Sequence, residues 1–272
     1  MVQFPNCKIN IGLNVINKRT DGYHNLETIF YPVGLSDALE IIPSEKVSFR
    51  ATGITISGLS DNADNNLCLK AYQLLKNDFP TQVLPVDIIL HKAIPIGAGL
   101  GGGSADGAFM LQMMNEKFSL QIPVERLQEY ALQLGSDCPF FIVNKPCFAE
   151  GRGEIFSPIL LDLSSYYIVL VNPGIHVSTK EAFAGIEPNK PKKSLREIVV
   201  QPISTWKEEL VNDFEKSVFS LYPAIEEIKK TVYNSGAVYA SMSGSGSTVY
   251  GLFEAKRELN YLFPKEYIVI GL

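Results

Sequence analysis

Apolar and polar residues alternate near the N-terminus. Ile9, Ile11, Leu13 and Val15 fall on one side, and Lys8, Asn10, Gly12 and Asn14 on the other. A period of two predicts a strand with one apolar face. Lys8 and Asn10 then share the opposite side, which either meets solvent or lines a cleft. Leu26–Val33, Leu39–Ile42 and Val47–Ile56 continue a β region. The period then lengthens. Asp64-Asn65-Asn66-Leu67 opens a helical pattern to about Phe79, with Leu67, Ala71, Leu74 and Leu75 on one stripe and Asp64 or Asn65 as cap. Val86–Leu90 reads as a strand with His91-Lys92 at its end. Ser104–Phe118 reads as a helix with Ala, Leu, Met and Phe inward. Pro123–Leu134 is a second helix, with Pro123 suited to its first position and Gly135 to the residue past its end.

Beyond these, Phe148–Gly153 ends in Gly-Arg-Gly, a turn near a domain boundary. Tyr166–Asn172 is a buried strand stopped by Pro173-Gly174. Ser178 caps a helix running through Phe183. Trp206–Asp213, Ala224–Ser235 and Glu254–Phe263 read as helices. Ala237–Met242 and Val249–Phe253 are strands joined by Ser243-Gly244-Ser245-Gly246-Ser247-Thr248, and Tyr267–Ile270 is a last strand. Mixed strands and helices of this kind make an α+β chain. It has no internal repeat and no low-complexity tract.

Between the Val86–Leu90 strand and the Ser104–Phe118 helix lies Pro95-Ile96-Gly97-Ala98-Gly99-Leu100-Gly101-Gly102-Gly103-Ser104-Ala105. Glycine at this density adds no packing, but it lets several backbone N–H groups converge on one anion. The following helix N-terminus adds free N–H groups and a positive dipole end. Strand, glycine loop and helix form a nucleotide-phosphate arrangement. A Walker A loop is excluded, because the chain contains no Gly-Lys pair. Gly97, Gly99 and Gly102 satisfy G-x-G-x-x-G, but the second strand ending in an acid that a dinucleotide site needs is missing. A plain flexible surface loop explains poorly the sharp strand and helix boundaries.

Composition narrows the class. With 272 residues, 46% hydrophobic and 19% charged, the chain can bury one large or two modest cores. A net charge of −5 with scattered basic residues argues against nucleic acid; the cluster Lys190, Lys192 and Lys193 reads as a solvated loop. The four cysteines, Cys7, Cys68, Cys138 and Cys147, have no C-x-x-C spacing, so neither a disulfide framework nor a zinc site is indicated, and free thiols fit a reducing cytoplasm. Lys8, Asn10 and Asn14 interrupt any N-terminal signal core, and the apolar run Tyr166–Val171 is too short for a bilayer. No membrane partner is expected.

Two stretches carry candidate chemistry. Asp21-Gly22-Tyr23-His24 is a turn whose aromatic and imidazole either form an ordinary hairpin tip or offer a nucleobase a stacking face and a hydrogen-bonding edge. Gly135-Ser136-Asp137-Cys138-Pro139-Phe140-Phe141 sets a carboxylate between a helix stop and an apolar run, where it is either a capping residue or a functional acid. Cys138 is read as packing. The second Gly/Ser loop, Ser243–Thr248, is either a hairpin connection or a further approach to phosphate.

Pro95 followed by Gly99-Leu100-Gly101 resembles the loop of the galactokinase–homoserine kinase–mevalonate kinase–phosphomevalonate kinase superfamily. Lys8-Ile9-Asn10 with Asp21-Gly22-Tyr23-His24, Gly135-Ser136-Asp137-Cys138-Pro139, Asn212-Asp213-Phe214-Glu215 and Ser243-Gly244-Ser245-Gly246 narrow this. Across nearly the whole chain they resemble the family of 4-diphosphocytidyl-2-C-methyl-D-erythritol kinases. The resemblance implies a two-domain α+β small-molecule kinase fold. Its N-terminal domain, residues 1–153, would be ribosomal-protein-S5-like and bind ATP. Its C-terminal domain, residues 154–272, would be ferredoxin-like and bind substrate, with the active site in a cleft between them. It implies ATP and Mg²⁺ as cofactors, a cytidine-diphosphate-linked substrate, a cytoplasmic setting, and a monomer or homodimer.

By the same resemblance, Asp137 is the general base and Lys8 its neighbouring cation. Asn66 and Lys92 border the adenine. Pro95, Ile96, Gly97, Ala98, Gly99, Leu100, Gly101, Gly102, Gly103, Ser104 and Ala105 hold the ATP phosphates. Tyr23 and Phe183 sandwich cytosine while His24 bonds its edge. Asn10 and Thr179 hold polar groups of the substrate, and Gly244, Ser245 and Gly246 close the site. Mevalonate-type relatives place serine directly after Gly-Leu-Gly, where it ligates magnesium. Here Gly102 and Gly103 stand there and Ser104 comes later, so the metal ligands are left unassigned. The rivals are a superfamily kinase for mevalonate or homoserine, which has no use for the Tyr23-His24 pair, and a non-catalytic nucleotide-binding module, against which Asp137 argues.

Overall fold

The structure is a computed structural model that describes residues 1–54 and 66–272. The chain folds as two units that interleave in sequence. One takes residues 1–7, 32–96 and 101–145, and the other residues 8–31, 97–100 and 146–272.

In the first unit β1 (Val2–Gln3), β4 (Ala38–Pro43), β5 (Ser48–Gly53) and β6 (Val86–Lys92) form one sheet in the order β1-β4-β6-β5. β6 runs antiparallel to β4 and parallel to β5. Its Val86, Ile88 and Leu90 are buried, and Lys92 falls in phase with them. A lysine thus occupies a core position. Helices α1 (Leu67–Asp78), α2 (Gly102–Lys117), α3 (Val124–Leu134) and α4 (Cys138–Val143) complete the unit. α2 packs against the other three and buries Ala105, Ala108, Met110, Leu111, Met113 and Met114. A helix apolar nearly all round has to be surrounded in this way. Gly107 lets α1 come close, since a Cβ there would stand 2.9 Å from that of Leu67.

In the second unit β2 (Asn6–Lys18), β3 (His24–Ser36), β7 (Cys147–Gly151) and β8 (Ile155–Pro158) form a sheet in that order. A second sheet, antiparallel throughout, orders β9 (Tyr167–Asn172), β10 (Tyr239–Met242), β11 (Val249–Phe253) and β12 (Ile268–Gly271) as β10-β11-β9-β12. Helices α5 (Thr179–Ala184), α6 (Leu195–Val199), α7 (Trp206–Glu209), α8 (Phe214–Leu221) and α9 (Pro223–Asn234) belong to it. One core joins Val169 and Val171 of β9, Val218 of α8, Ile228 and Val232 of α9, and Met242 and Val249 of the hairpin.

Several expectations are corrected. β2 has no solvent face: every residue from Cys7 to Val15 is buried, Lys8 and Asn10 included. Besides β3, β2 has a second neighbour: Leu13 N–H donates to the Val211 carbonyl, Asp213 N–H to that of Leu13, and Val15 N–H to the Asp213 carboxylate. The same pairing explains why the expected Trp206–Asp213 helix stops at Glu209, since Leu210 turns extended to bring residues 211–213 alongside β2. Phe214–Leu221 is helical where no helix was expected. The expected Glu254–Phe263 helix reduces to a single 3-10 turn at Asn260–Leu262. There Leu259 and Phe263 anchor to the core while Tyr261 stays exposed. Tertiary anchoring overrides helix propensity in so short a connection. Asp64 and Asn65 lie outside the described residues, and Asn66 caps α1, its Oδ1 accepting from the N–H groups of Cys68 and Leu69. Pro123 is the N-cap of α3 rather than its first residue, and Gly135 follows that helix in an extended conformation.

Candidate active site

The glycine loop alternates in hand. Gly97, Gly99 and Gly101 have φ of 66°, 77° and 71°, a left-handed repeat at every second residue. Gly101 caps α2, so Gly102 and Gly103 form the first helical turn instead of preceding it. Residues 97–100 belong to the second unit, whose groups take three successive carbonyls. Thr248 N–H donates to the Ala98 carbonyl (3.2 Å), the Ser243 hydroxyl to that of Gly99 (2.9 Å), and Lys8 N–H to that of Leu100 (3.0 Å). In a trans peptide the N–H points opposite to the C=O. The amides of Gly99, Leu100 and Gly101 therefore face away from these anchors. This is an anion-binding geometry.

Lys8, 3% exposed, reaches the same loop from β2. Its ammonium donates to Asn10 Oδ1 (2.6 Å) and to the Gly99 carbonyl (3.2 Å), and it lies 4.9 Å from the Phe30 ring centroid. Asn10 is locked on all sides. Its N–H donates to Ser243 Oγ, its carbonyl accepts from the Tyr250 hydroxyl, and its Nδ2 donates to Thr28 Oγ1. The side of β2 that carries Lys8 and Asn10 is thus a built polar interior.

Lys92 is buried in an ion-pair cluster. Its buried ammonium donates to both Asp37 and Asp106, the latter at 2.7 Å. Asp37 Oδ1 also accepts from the N–H groups of Ala93 and Ile94. The knot therefore grips the chain just before the glycine loop and again at Asp106, on the helix just after it. A Cβ on Gly102 would stand 3.4 Å from the Lys92 Nζ, so the ammonium lies directly behind the first residue of α2. Burial drives the Asp106 carboxyl up to about 7, with Asp37 adding to the rise and Lys92 opposing it.

Tyr23 follows the β2–β3 turn, 56% exposed, with the Arg152 guanidinium 5.1 Å from its ring centroid. His24 begins β3 and stacks on Phe183 at 4.6 Å and 18°. Phe183 is backed edge-on by Phe214. Burial, helped by Lys18, holds the His24 imidazole below its usual pKa, so it is neutral at pH 7 and can both donate and accept. Thr179 opens α5, whose Ser178–Glu181 capping box is complete.

Asp137 is the N-cap residue of α4, yet its side chain makes no capping bond. Cys138 next to it is buried, and burial pushes its thiol up to about 12, which suits packing and not nucleophilic attack. All four cysteines are free. In the second glycine loop Ser243 and Thr248 close on each other, and Asn212 Nδ2 donates to the carbonyls of Met242 and Gly244.

Residues 66–145 match the GHMP kinases N terminal domain and residues 194–268 match the GHMP kinases C terminal. A 4-diphosphocytidyl-2-C-methyl-D-erythritol kinase of Bacteroides fragilis is 56% identical over 263 residues, 95% of this chain and 94% of its own length. The chain belongs to the 4-diphosphocytidyl-2-C-methyl-D-erythritol kinase family. Another member, from Cytophaga hutchinsonii, is 52% identical over 259 residues, 95% of this chain and 94% of its own. A crystal structure of a 4-(cytidine 5'-diphospho)-2C-methyl-D-erythritol kinase superposes with a TM-score of 0.76 at 31% identity, covering 93% of this chain and 90% of that one. The α+β fold is thus that of the GHMP kinases. Among the described residues, no helix is long and apolar enough to cross a membrane.

For this member of the 4-diphosphocytidyl-2-C-methyl-D-erythritol kinase family, sequence reading had passed over Thr28, Asp37 and Asp106. Only Lys92 gave a signal. A lysine in phase with Val86, Ile88 and Leu90 needs a buried acid, but its period does not say which one.

Proposed function

We propose that the protein transfers the γ-phosphoryl group of ATP to the 2-hydroxyl of 4-diphosphocytidyl-2-C-methyl-D-erythritol, a step toward isoprenoid precursors. Family membership supports the substrate class, and the outward-facing amides of Gly99, Leu100 and Gly101 are the observation that carries the phosphate site. Residues 95–105 hold the triphosphate through those amides and the N-terminus of α2. Asn66 and Lys92 stand toward the adenine end, Lys92 acting through its knot with Asp37 and Asp106. The ATP groups fall within residues 1–153, and the substrate is held by residues 154–272 together with Asn10, Tyr23 and His24.

Asp137 accepts the proton of the substrate hydroxyl as its oxygen attacks the γ-phosphorus; the bond from that phosphorus to the bridging oxygen breaks and ADP leaves. Lys8 contributes positive charge where alkoxide character develops. Tyr23 and Phe183 hold the cytosine, His24 bonds its edge as a neutral imidazole, and Asn10, Thr179 and the Gly244-Ser245-Gly246 loop hold the rest. Mg²⁺ would arrive bound to the nucleotide phosphates, as is usual for this ion. It supplies charge neutralisation there.

The test is ADP release measured with a panel of alcohols. Turnover is expected with the cytidine-diphosphate-linked substrate and not with mevalonate or homoserine. Turnover of mevalonate alone would overturn the substrate assignment.

A further inference from the structure

We propose that Thr28 is a positioning residue for the phosphoryl transfer: by fixing which way the Asn10 amide points, it sets where the Lys8 ammonium stands. The inference deepens the reading of Lys8 given above and rests on it.

The argument is one of proton counting. Thr28 lies on β3, 1% exposed, and its hydroxyl has a single proton. That proton goes to the Gly12 carbonyl at 2.6 Å, a group that can only accept. The hydroxyl oxygen is left as an acceptor, and the Asn10 amide, 2.9 Å away, must therefore present its Nδ2 to it. The amide oxygen is then forced to the other side. There it meets Lys8 Nζ at 2.6 Å, a group that can only donate. The chain Gly12 carbonyl, Thr28 hydroxyl, Asn10 amide, Lys8 ammonium has one consistent direction, and Thr28 links the amide to the fixed end of it.

Two groups decide the amide, the Thr28 hydroxyl at Nδ2 and the Lys8 ammonium at Oδ1, and the hydroxyl is the one on a short side chain tied back to the sheet through the Gly12 carbonyl. The Asn10 main chain is pinned by Ser243 Oγ on its N–H (3.2 Å) and by the Tyr250 hydroxyl on its carbonyl (2.9 Å). These bonds hold the backbone and do not themselves orient the amide. The Ser243 hydroxyl stands 3.5 Å from Asn10 Oδ1, too far to fix it. Without the Thr28 hydroxyl, Nδ2 loses its buried acceptor and the amide is held only from the Lys8 side, so amide and ammonium can shift together. Lys8 would keep its bond to the Gly99 carbonyl at 3.2 Å while its Asn10 partner is no longer fixed.

The experiment is steady-state kinetics on the full-length protein, with ATP and the cytidine-diphosphate-linked substrate. Thr28→Val keeps the β-branched shape and removes the hydroxyl; it is expected to lower kcat between about tenfold and a hundredfold, the usual effect of a small misplacement of a reacting group, with KM for both substrates little changed. Thr28→Ser is expected to restore kcat. On an Asn10→Ala background, Thr28→Val is expected to add no further loss, because the amide it orients is gone. If Thr28→Val does not fold, Thr28→Ala carries the same expectation, with circular dichroism as the check. An unchanged kcat in a folded variant lacking the hydroxyl, or an equal loss with and without Asn10, would overturn the inference. Lys8→Met serves as the separate control: full turnover there would remove the reading of Lys8 itself, whereas an inactive Lys8→Met beside a silent Thr28→Val removes only the role of Thr28.

Discussion

The Lys92 ammonium stands 2.7 Å from an Asp106 carboxylate oxygen, although the two residues are only 7% and 4% exposed. Asp37 shares the same ammonium, so one cation faces two acids. Burial works against the charged lysine, but the two carboxylates outweigh it and raise its pKa. They cannot both be satisfied by one cation. Asp106 Oδ1 is buried without a hydrogen-bond partner, and burial together with Asp37 lifts its carboxyl to about 7.

A pH dependence follows, and its sign is set by the upward shift. Between the ordinary carboxylate pKa near 4 and about 7, folded Asp106 keeps a proton that the unfolded chain has released. The native state binds more protons in that window, so this contribution to stability falls as pH rises and is gone above it. The slope has a ceiling of about 1.4 kcal/mol per pH unit for one proton. Asp106→Asn keeps the neutral shape. Its Tm relative to the unmodified protein is expected to be higher at pH 8 than at pH 5. A difference that stays constant with pH would mean that Asp106 is ionised throughout.

The glycine loop allows fold and function to be separated. At Gly99 a Cβ would stand 2.0 Å from the Ser243 carbonyl oxygen, and its φ of 77° disfavours any side chain. Gly99→Ala is expected to lower Tm and raise KM for ATP together. At Gly103 a Cβ meets no protein atom within 4 Å, and the residue is in the first turn of α2. Gly103→Ala is expected to keep or slightly raise Tm, since alanine favours helix, while KM for ATP rises because the methyl occupies phosphate space. Unaltered ATP kinetics would place the triphosphate elsewhere.

That loop was legible because glycine spacing reports backbone directly: the positions that bend left-handed are the ones where a side chain is unfavourable. The capping of α5 by Ser178 was legible for a similar reason, being local. What escaped was non-local. Asp37 meets Lys92 across 55 residues, and Thr28 meets Asn10 across 18 on a neighbouring strand. No periodicity connects such pairs. Lys8 and Asn10 show the limit in another way. Alternation separated them correctly from Ile9 and Ile11, but it could not say that residues 211–213 also line β2 and that the polar side is an interior as well.

Tyr23 offers a test of the base site. Its ring is largely open, whereas Phe183 already carries His24 on one face. Stacking a base on an aromatic ring contributes about 1–3 kcal/mol. Tyr23→Ala is therefore expected to raise KM for the cytidine-linked substrate on the order of tenfold or more, with kcat nearly unchanged, because stacking is common to ground and transition states. Tyr23→Phe is expected to keep most of the affinity. An unchanged KM in Tyr23→Ala would move the cytosine away from the β2–β3 turn.

Asp137 decides the chemistry. As N-cap of α4 it occupies a position where aspartate commonly serves the helix, but its carboxylate makes no capping bond, so its replacement removes no cap. Asp137→Asn keeps size and shape and removes the ability to take a proton. A positioned general base contributes about a hundredfold to ten-thousandfold, and kcat is expected to fall by that order while ATP affinity, measured by calorimetry in the absence of the alcohol, changes little. The two measurements must part company. Loss of ATP binding along with kcat would mean that Asp137 supports the nucleotide site, and near-normal turnover would show that the hydroxyl gives up its proton to another group.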